Sequence, residues 1–109
     1  RIKELIITGG FNVYPAEVEA AIDAIEGVAE SAVIGLPHPD FGEGVTAVVA
    51  AKPGARLDEQ AIRRTLEGDL AKFKVPKTII VVDALPRNTM GKIQKNVLRD
   101  AYRDSFAGA

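Results

Sequence analysis

The sequence predicts an α+β domain: a small, mainly antiparallel sheet with an N-terminal hairpin, covered by about three helices. Three segments carry apolar residues at helical spacing, and short β-rich segments lie between them. Their order is hairpin, helix, strand, strand, helix, strand, helix, which is typical of a sheet packed against helices. The length of 109 residues is enough for one domain and too short for two ordinary ones.

The hairpin is predicted from two β-rich segments, 5–8 and 11–14, on either side of a Gly-Gly pair. Gly9-Gly10 is a strong turn signal. Pro15 suits the first turn of the helix that follows. Apolar residues then recur on one face of that helix, at Val18, Ile22 and Ile25.

Two strands and a second helix form the centre of the chain. Segments 28–36 and 45–51 are β-rich, and 37–40 is predicted to be a rigid loop between them. The second strand ends in a continuously apolar run, which indicates burial on both faces. Asp58 is a good N-cap for a helix to about Lys72. The core-facing residues of this helix are Ile62, Leu66, Leu70 and Phe73.

The last third is predicted to hold one strand, one long loop and one helix. Val75-Pro76 ends the second helix, and 77–82 is a β-branched strand. A loop at 83–91 leads to a helix over roughly 93–105. Residues 106–109 are predicted to be frayed.

Composition excludes several kinds of site. The chain has no cysteine and one histidine, His38, so disulfides, thiolate metal sites and histidine clusters are excluded. We expect neither a metal site nor a histidine-based triad. No apolar run approaches the length that crosses a bilayer, and no signal-peptide pattern opens the chain.

Charge is unevenly distributed along the chain. Residues 72–109 carry a net charge of +5, whereas residues 1–71 carry −6. A basic third on an acidic body favours a local anionic ligand over nucleic acid. A stand-alone module that binds acidic ligands or a partner protein through this basic third is therefore one open interpretation.

The loop 86–92, Pro-Arg-Asn-Thr-Met-Gly-Lys, is the leading candidate for a functional site. Gly91 permits conformations that a side chain would resist. Lys92, at the start of the last helical pattern, is a compact cation suited to carboxylate or phosphate oxygens. The loop is not a Walker loop, because Pro86 replaces its first glycine and Ile93 replaces its metal-binding hydroxyl residue. An ordinary surface lysine after a turn also fits these residues.

Two segments together resemble motifs of the adenylate-forming acyl-CoA synthetases. Residues 1–19 resemble the hinge and first motif of their C-terminal domain, with the sequence Arg-Ile-Lys-Glu-Leu-Ile-Ile-Thr-Gly-Gly-Phe-Asn-Val-Tyr-Pro-Ala-Glu-Val-Glu. Pro86-x4-Gly91-Lys92, followed by Lys95, resembles their last motif. The resemblance covers essentially the whole chain, and residues 85–99 are similar to malonyl-CoA synthetases in particular.

The resemblance implies a division of the chain and a two-step reaction. Residues 1–4 would be a hinge remnant and 5–109 the mobile C-terminal lid of an enzyme whose large N-terminal domain is missing, so that the fragment alone would be inactive. A carboxylate would attack the α-phosphate of ATP, supplied with Mg²⁺, and coenzyme A would then displace AMP. The lid would adopt one orientation for each step. A lid that serves a carrier protein instead of coenzyme A also fits.

The resemblance also assigns roles to residues. Lys92 matches the lysine that contacts the carboxylate and the α-phosphate or ribose oxygens during adenylation, and a placed cation helps because negative charge builds there. The same lysine matches a regulatory acetylation site, since acetylation removes the charge. Arg1 matches an arginine that binds the nucleotide ribose, and Lys3 lies at the hinge position. Gly9 and Gly10 match the loop that lines the pantetheine tunnel.

Contacts with coenzyme A are implied for four further residues. Phe41 and Phe73 match aromatic positions that stack on adenine, and Phe73 equally fits core packing. Lys74 and Lys77 fit contacts with the nucleotide phosphates or plain solvation. The expected partners are the enzyme's own N-terminal domain and a protein lysine acetyltransferase or deacetylase, with no nucleic acid or membrane. ATP and coenzyme A would not bind tightly to this fragment alone, and we expect the enzyme to be cytoplasmic.

Overall fold

A five-stranded sheet with helices on both faces forms the structure, in a computed structural model that describes residues 4–108. In chain order the elements are β1 (Ile6–Thr8), β2 (Phe11–Val13), α1 (Pro15–Asp23), β3 (Val28–His38), β4 (Gly42–Ala51), α2 (Glu59–Asp69), a short 3₁₀ helix (Lys72–Lys74), β5 (Thr78–Val82) and α3 (Lys95–Tyr102). The predicted α+β class, with an N-terminal hairpin and three helices, is confirmed.

Strand β4 is the centre of the sheet. It pairs antiparallel with β3 along nearly its whole length, from Val28–Ala51 to His38–Gly42. On its other side it pairs parallel with β5 over Thr46 to Ala50, and antiparallel with β1 at Thr8–Gly42. β1 and β2 form the predicted antiparallel hairpin. The sheet is therefore mainly antiparallel, with one parallel pair.

Alternate residues of β3 and β4 are buried in two separate cores, because successive side chains of a strand point to opposite faces. One core contains Val33, Ala47 and Val49 and is covered by α1 and α2. The other contains Ala32, Ile34, Leu36, Val48 and Ala50, and is covered by Leu85, Leu98 and Phe106. The predicted burial of the second strand on both faces is confirmed.

The helices bury the residues that their spacing predicts. Pro15 is the first residue of α1, and Val18 and Ile22 are fully buried beneath it. Asp58 caps α2 by accepting a hydrogen bond from the backbone nitrogen of Gln60, at 3.2 Å. Burying one aliphatic side chain such as Val18 or Ile22 stabilises the folded state by roughly 1.5–3 kcal/mol. In the described part of the chain, none of the helices combines the length and apolarity that a membrane span needs.

Strand and helix ends differ from the prediction in three places. The loop predicted at 37–40 is wrong in its first half, because β3 continues through His38 while Pro37 pairs with Glu43 of β4. A proline is tolerated here at the end of a strand that has only one neighbour. α2 ends at Asp69, before an extended Leu70 and the 3₁₀ helix. α3 is shorter than predicted at both ends, so Lys92 lies in the loop and not in its first turn.

The C-terminal tail is more ordered than the predicted frayed end. Phe106 is only 7% exposed and packs in the core beneath α3. Gly44 makes room for it, since a Cβ built on Gly44 would lie 2.6 Å from the Phe106 ring. The sequence pattern missed this contact because one aromatic residue near the end carries no periodicity.

We expect Gly44→Ala to lower the free energy of unfolding by about 1–3 kcal/mol, because its methyl group must displace the Phe106 ring. Gly68→Ala in α2 is the matched control, since the space around Gly68 is open; it should stabilise the protein by about 0.4–1 kcal/mol. Urea unfolding of both variants measures the difference. Equal stability of the two variants would contradict the tight contact at Gly44.

Candidate functional site

One side chain, Asn88, organises the loop that carries Lys92. Its Oδ1 accepts hydrogen bonds from the backbone nitrogens of Met90, at 2.9 Å, and Lys92, at 3.0 Å. Its own backbone nitrogen donates to the carbonyl oxygen of Lys92, at 3.0 Å, and its carbonyl accepts from Gly91. Gly91 has a φ of 81°, which only glycine adopts readily. The backbone of Lys92 is therefore held in place although its side chain is exposed.

The loop is attached to the sheet at both ends. Leu85 before it and Ile93 after it pack on the core beneath α3. Arg87 pairs with Ile93 as an isolated β-bridge and forms an ion pair with Glu30 of β3. These contacts fix where the loop leaves and rejoins the domain, so the position of Lys92 follows from the sheet.

Lys95, at the start of α3, has its charge neutralised within the domain. Its ammonium lies 2.7 Å from a carboxylate oxygen of Glu4 and 2.8 Å from one of Glu19, and its side chain is only 18% exposed. Glu19 also accepts the backbone nitrogen of Val33, at 2.8 Å. This network joins the segment before β1, helix α1, strand β3 and helix α3.

Lys92 differs from its neighbours in having its charge unmatched. Within residues 4–108 no hydrogen bond or ion pair to its ammonium is observed, whereas Arg87 and Lys95 both pair with carboxylates. An exposed ammonium on an ordered backbone can contact an incoming anion without first breaking an internal ion pair. This arrangement suits carboxylate or phosphate oxygens.

A second site, which we call the aromatic groove, lies beside the hairpin and has a volume of about 410 Å³. Its lining residues are Thr8, Gly9, Phe11, Phe41, Lys72, Phe73 and Lys77. The Lys77 ammonium lies 4.0 Å from the centroid of the Phe41 ring, and the Phe11 and Phe73 rings are stacked at 4.6 Å. Flat apolar rings beside lysines suit a planar base that carries phosphate groups.

The structure brings four of the sequence-predicted residues together in this groove: Gly9, Phe41, Phe73 and Lys77. Gly9 has a φ of 56°, and its backbone nitrogen donates to the carbonyl oxygen of Phe41, at 2.9 Å. Phe73 also packs against the core beneath α1 and α2, so both roles considered for it are compatible. Lys92 is not among the groove residues.

The other predicted residues lie elsewhere. Lys74 is next to the groove, with its ammonium 2.9 Å from Glu17 and 5.7 Å from the Phe73 ring centroid. Gly10 is at the hairpin turn, with a φ of 86° and open space around it. Arg1 and Lys3 lie outside the described residues.

Sequence reasoning missed three groove residues, Thr8, Phe11 and Lys72. Phe11 follows the Gly-Gly turn and is 55% exposed, and an exposed aromatic residue beside a functional turn is a signal that could have been used. For Lys72 the sequence pattern indicates only the end of a helix. No group of three or more histidine, cysteine or acidic side chains that could hold a metal occurs in the described ranges.

Fold and site together define a class: a small α+β domain that presents a lysine on an ordered loop and a groove lined by aromatic and basic side chains. The chain belongs to the AMP-binding enzyme C-terminal domain family, whose model matches residues 17–92. The sequence-based assignment to this family is therefore confirmed.

Relatives of the chain include CoA ligases. The chain is 54% identical over 100 residues to an octahydro-indenyl-propanoyl:CoA ligase of Rhodococcus jostii (strain RHA1), covering 92% of this chain and 19% of that protein. It is 48% identical over 102 residues to the long-chain-fatty-acid–CoA ligase FadD13 of Mycobacterium tuberculosis, covering 94% and 20%. The crystal structure of apo MatB from Rhodopseudomonas palustris is similar, at 65% identity and a TM-score of 0.92, with 95% and 21% covered. The chain thus spans about a fifth of the length of these relatives.

We expect Asn88→Ala to speed amide hydrogen exchange at Met90 and Lys92, because both backbone nitrogens lose their acceptor. A net contribution of about 1 kcal/mol per hydrogen bond corresponds to roughly fivefold faster exchange. Exchange measured by NMR on the chain tests this. Asn88→Asp keeps an acceptor oxygen for both backbone nitrogens and should exchange like the original protein, and unchanged exchange in Asn88→Ala would refute the organising role of Asn88.

Proposed function

We propose that the chain is the mobile C-terminal domain of an ATP-dependent, AMP-forming acyl-CoA synthetase. Residues 1–4 would be the end of the hinge and residues 5–109 the lid. The observation that carries the proposal is the ordered loop with the unmatched charge of Lys92. Membership of the family and the share of each relative that the chain spans support it. On this proposal the domain is inactive alone, because most of the ATP and acyl site belongs to the N-terminal domain.

In the first half-reaction, Lys92 enters the cleft of the N-terminal domain. Its ammonium contacts the substrate carboxylate and the α-phosphate or ribose oxygens. Two anions must approach each other, and negative charge grows on the phosphorus oxygens in the transition state, so a positioned cation lowers the barrier. Arg1 would bind the ribose, and ATP would enter as its magnesium complex. Because the ammonium has no ion pair to break among residues 4–108, its full charge is available for this step.

In the second half-reaction, a different surface of the same domain faces the cleft. Gly9 and Gly10 line the pantetheine route, where the absence of side chains lets the thiol approach. The aromatic groove receives the adenine of coenzyme A, with Phe41 and Phe73 as stacking surfaces. Lys72 and Lys77 supply positive charge for its phosphates, and Lys74 is held beside them by Glu17. A carrier-protein acceptor has no adenine and would not need this groove, which favours coenzyme A.

The lysine loop and the aromatic groove are separate surfaces of one domain and have no lining residue in common. Leu85 and Ile93, which flank the lysine loop, pack on one core, whereas Phe73 packs on the other. Rotation of the domain about Lys3 would exchange one surface for the other between half-reactions. This is the physical reason for a two-orientation lid.

The acid that we propose is malonate or methylmalonate, on the resemblance of residues 85–99 to malonyl-CoA synthetases. The N-terminal domain would set the acyl selectivity, since the relatives of this domain named above act on quite different acids. We further propose a cytoplasmic enzyme regulated by acetylation of Lys92. An exposed lysine without an internal partner is accessible to an acetyltransferase or a deacetylase, and acetylation would remove the charge that adenylation needs.

In the full-length enzyme we expect Lys92→Ala to slow acyl-adenylate formation by about 10²-fold or more, because the charge that stabilises the transition state is lost. Conversion of supplied acyl-adenylate to the thioester should survive. Pyrophosphate exchange and thioester formation measure the two steps separately.

The matched control for that substitution is Lys52→Ala, which removes an exposed lysine just beyond β4. It should leave both half-reactions unchanged. Equal loss of both half-reactions in Lys92→Ala would count against the assigned role, and normal adenylation would reject it.

Gly10→Trp should have the opposite effect in the full-length enzyme, slowing thioester formation by about 10²-fold while sparing adenylation, because the indole obstructs the thiol's approach. Gly54→Trp is the matched control. Both glycines have positive φ, 86° and 79°, and open surroundings, so the backbone strain is similar. If the two variants behave alike, the tunnel role of Gly10 is wrong.

A further inference from the structure

The single histidine lies behind one wall of the aromatic groove. The rings of His38 and Phe41 have centroids 4.7 Å apart, and those of His38 and Phe106 are 5.0 Å apart. Three aromatic side chains therefore form a continuous series from the buried C-terminal tail to the groove. Neither the sequence motifs nor the proposed half-reactions assign a role to His38 or Phe106.

Phe41 needs such support because it lies at the turn between β3 and β4. Its side chain is 40% exposed, and its ring has groove space on one side. A side chain in this situation loses rotamer freedom when a ligand stacks on it, and that loss weakens binding unless the ring is already held. The half-buried His38 contacts the ring from the end of β3, the Lys77 ammonium lies 4.0 Å from the ring centroid, and Gly9 approaches the ring from the hairpin, where an added Cβ would lie 3.0 Å from it.

His38 is itself held at both of its contacts. Its Nδ1 accepts a hydrogen bond from the backbone nitrogen of Asp40, at 3.0 Å, which sets the orientation of the imidazole. On its other side lies Phe106, which fills the space left by Gly44 and is almost fully buried. The position of the imidazole is thus determined by the turn and by the core together.

We propose that His38 is a positioning residue for the aromatic groove: it holds the Phe41 ring ready to stack on the adenine of coenzyme A, and Phe106 supports it. The proposal rests on the proposed function, because it concerns the affinity for the nucleotide half of coenzyme A. It gives the C-terminal tail a function in the thioester-forming step.

Two substitutions of His38 in the full-length enzyme separate its ring from its hydrogen bond. His38→Asn retains an acceptor for the Asp40 nitrogen but removes the ring, and we expect it to raise the KM for coenzyme A. The expected rise is about three- to tenfold, the range of an aromatic pair contact. His38→Phe retains a ring and loses the acceptor, and we expect a KM close to that of the original enzyme. The reverse order would show that the turn, and not the ring contact, matters.

Pantetheine lacks the nucleotide of coenzyme A, so a comparison of the two acceptors distinguishes a positioning role from a merely structural one. We expect His38→Asn to change the kinetics with coenzyme A and to leave those with pantetheine unaltered. An equal loss with both acceptors would overturn the positioning role and indicate general destabilisation. Arg103→Ala is the control, because Arg103 lines the same surface cavity as His38 without lining the aromatic groove. It should leave the KM for coenzyme A unchanged.

Two further variants complete the test. Phe106→Leu keeps the tail apolar and should raise the KM for coenzyme A, with little further rise when combined with His38→Asn, because the two residues act through one contact. Fully additive effects would contradict the series. Phe41→Ala separates this inference from the proposed function: if it leaves the KM for coenzyme A unchanged, the groove assignment itself fails. If Phe41→Ala raises that KM and His38→Asn does not, only the role of His38 fails.

Discussion

The constraint on which the structure depends is the burial of β3 and β4 on both faces. Ala47 and Val49 point into one core while Val48 and Ala50, their neighbours along the strand, point into the other. Because interiors are closely packed and resist deformation, the two faces cannot shift relative to one another. The lysine loop, the aromatic groove and the C-terminal tail are each attached to one face or to an end of this sheet. The domain therefore behaves as a rigid body that carries two separate surfaces.

Ion pairs distinguish the basic side chains that hold the domain together from Lys92 of the candidate site. The carboxylates of Glu4, Glu19 and Glu30 neutralise the basic side chains that flank the lysine loop. Exposed ion pairs contribute little to stability, so their main effect here is to define geometry. Lys92 is left without an ion pair among the described residues, as are Lys52 and Lys72 elsewhere on the surface, and it is the lysine that the ordered loop carries. A cation that must act on an external anion is best left in that state.

Side-chain packing determines the shape of the aromatic groove, whereas hydrogen bonds determine the shape of the lysine loop. Phe41 and Phe73 come from two distant segments, and the hairpin closes the space between them. The rings lie at the end of the sheet, near Lys77, which is the residue immediately before β5. Support from His38 and the buried tail would extend this packing through the domain. The groove is thus a product of tertiary contacts between segments that are far apart in the chain.

The sequence by itself determined the fold class, the element order and the candidate loop, because periodicity, turn residues and the Asn88–Gly91 chemistry act locally. It also identified Gly9, Phe41 and Phe73 as candidates by motif resemblance, without indicating that they meet. Only the tertiary structure decided that Lys74 is paired, that Lys92 has no ion pair within the described part of the chain, and that Phe106 of the tail is buried. Those outcomes depend on long-range partners such as Glu17 and on the space at Gly44, and neither leaves a local pattern in the chain.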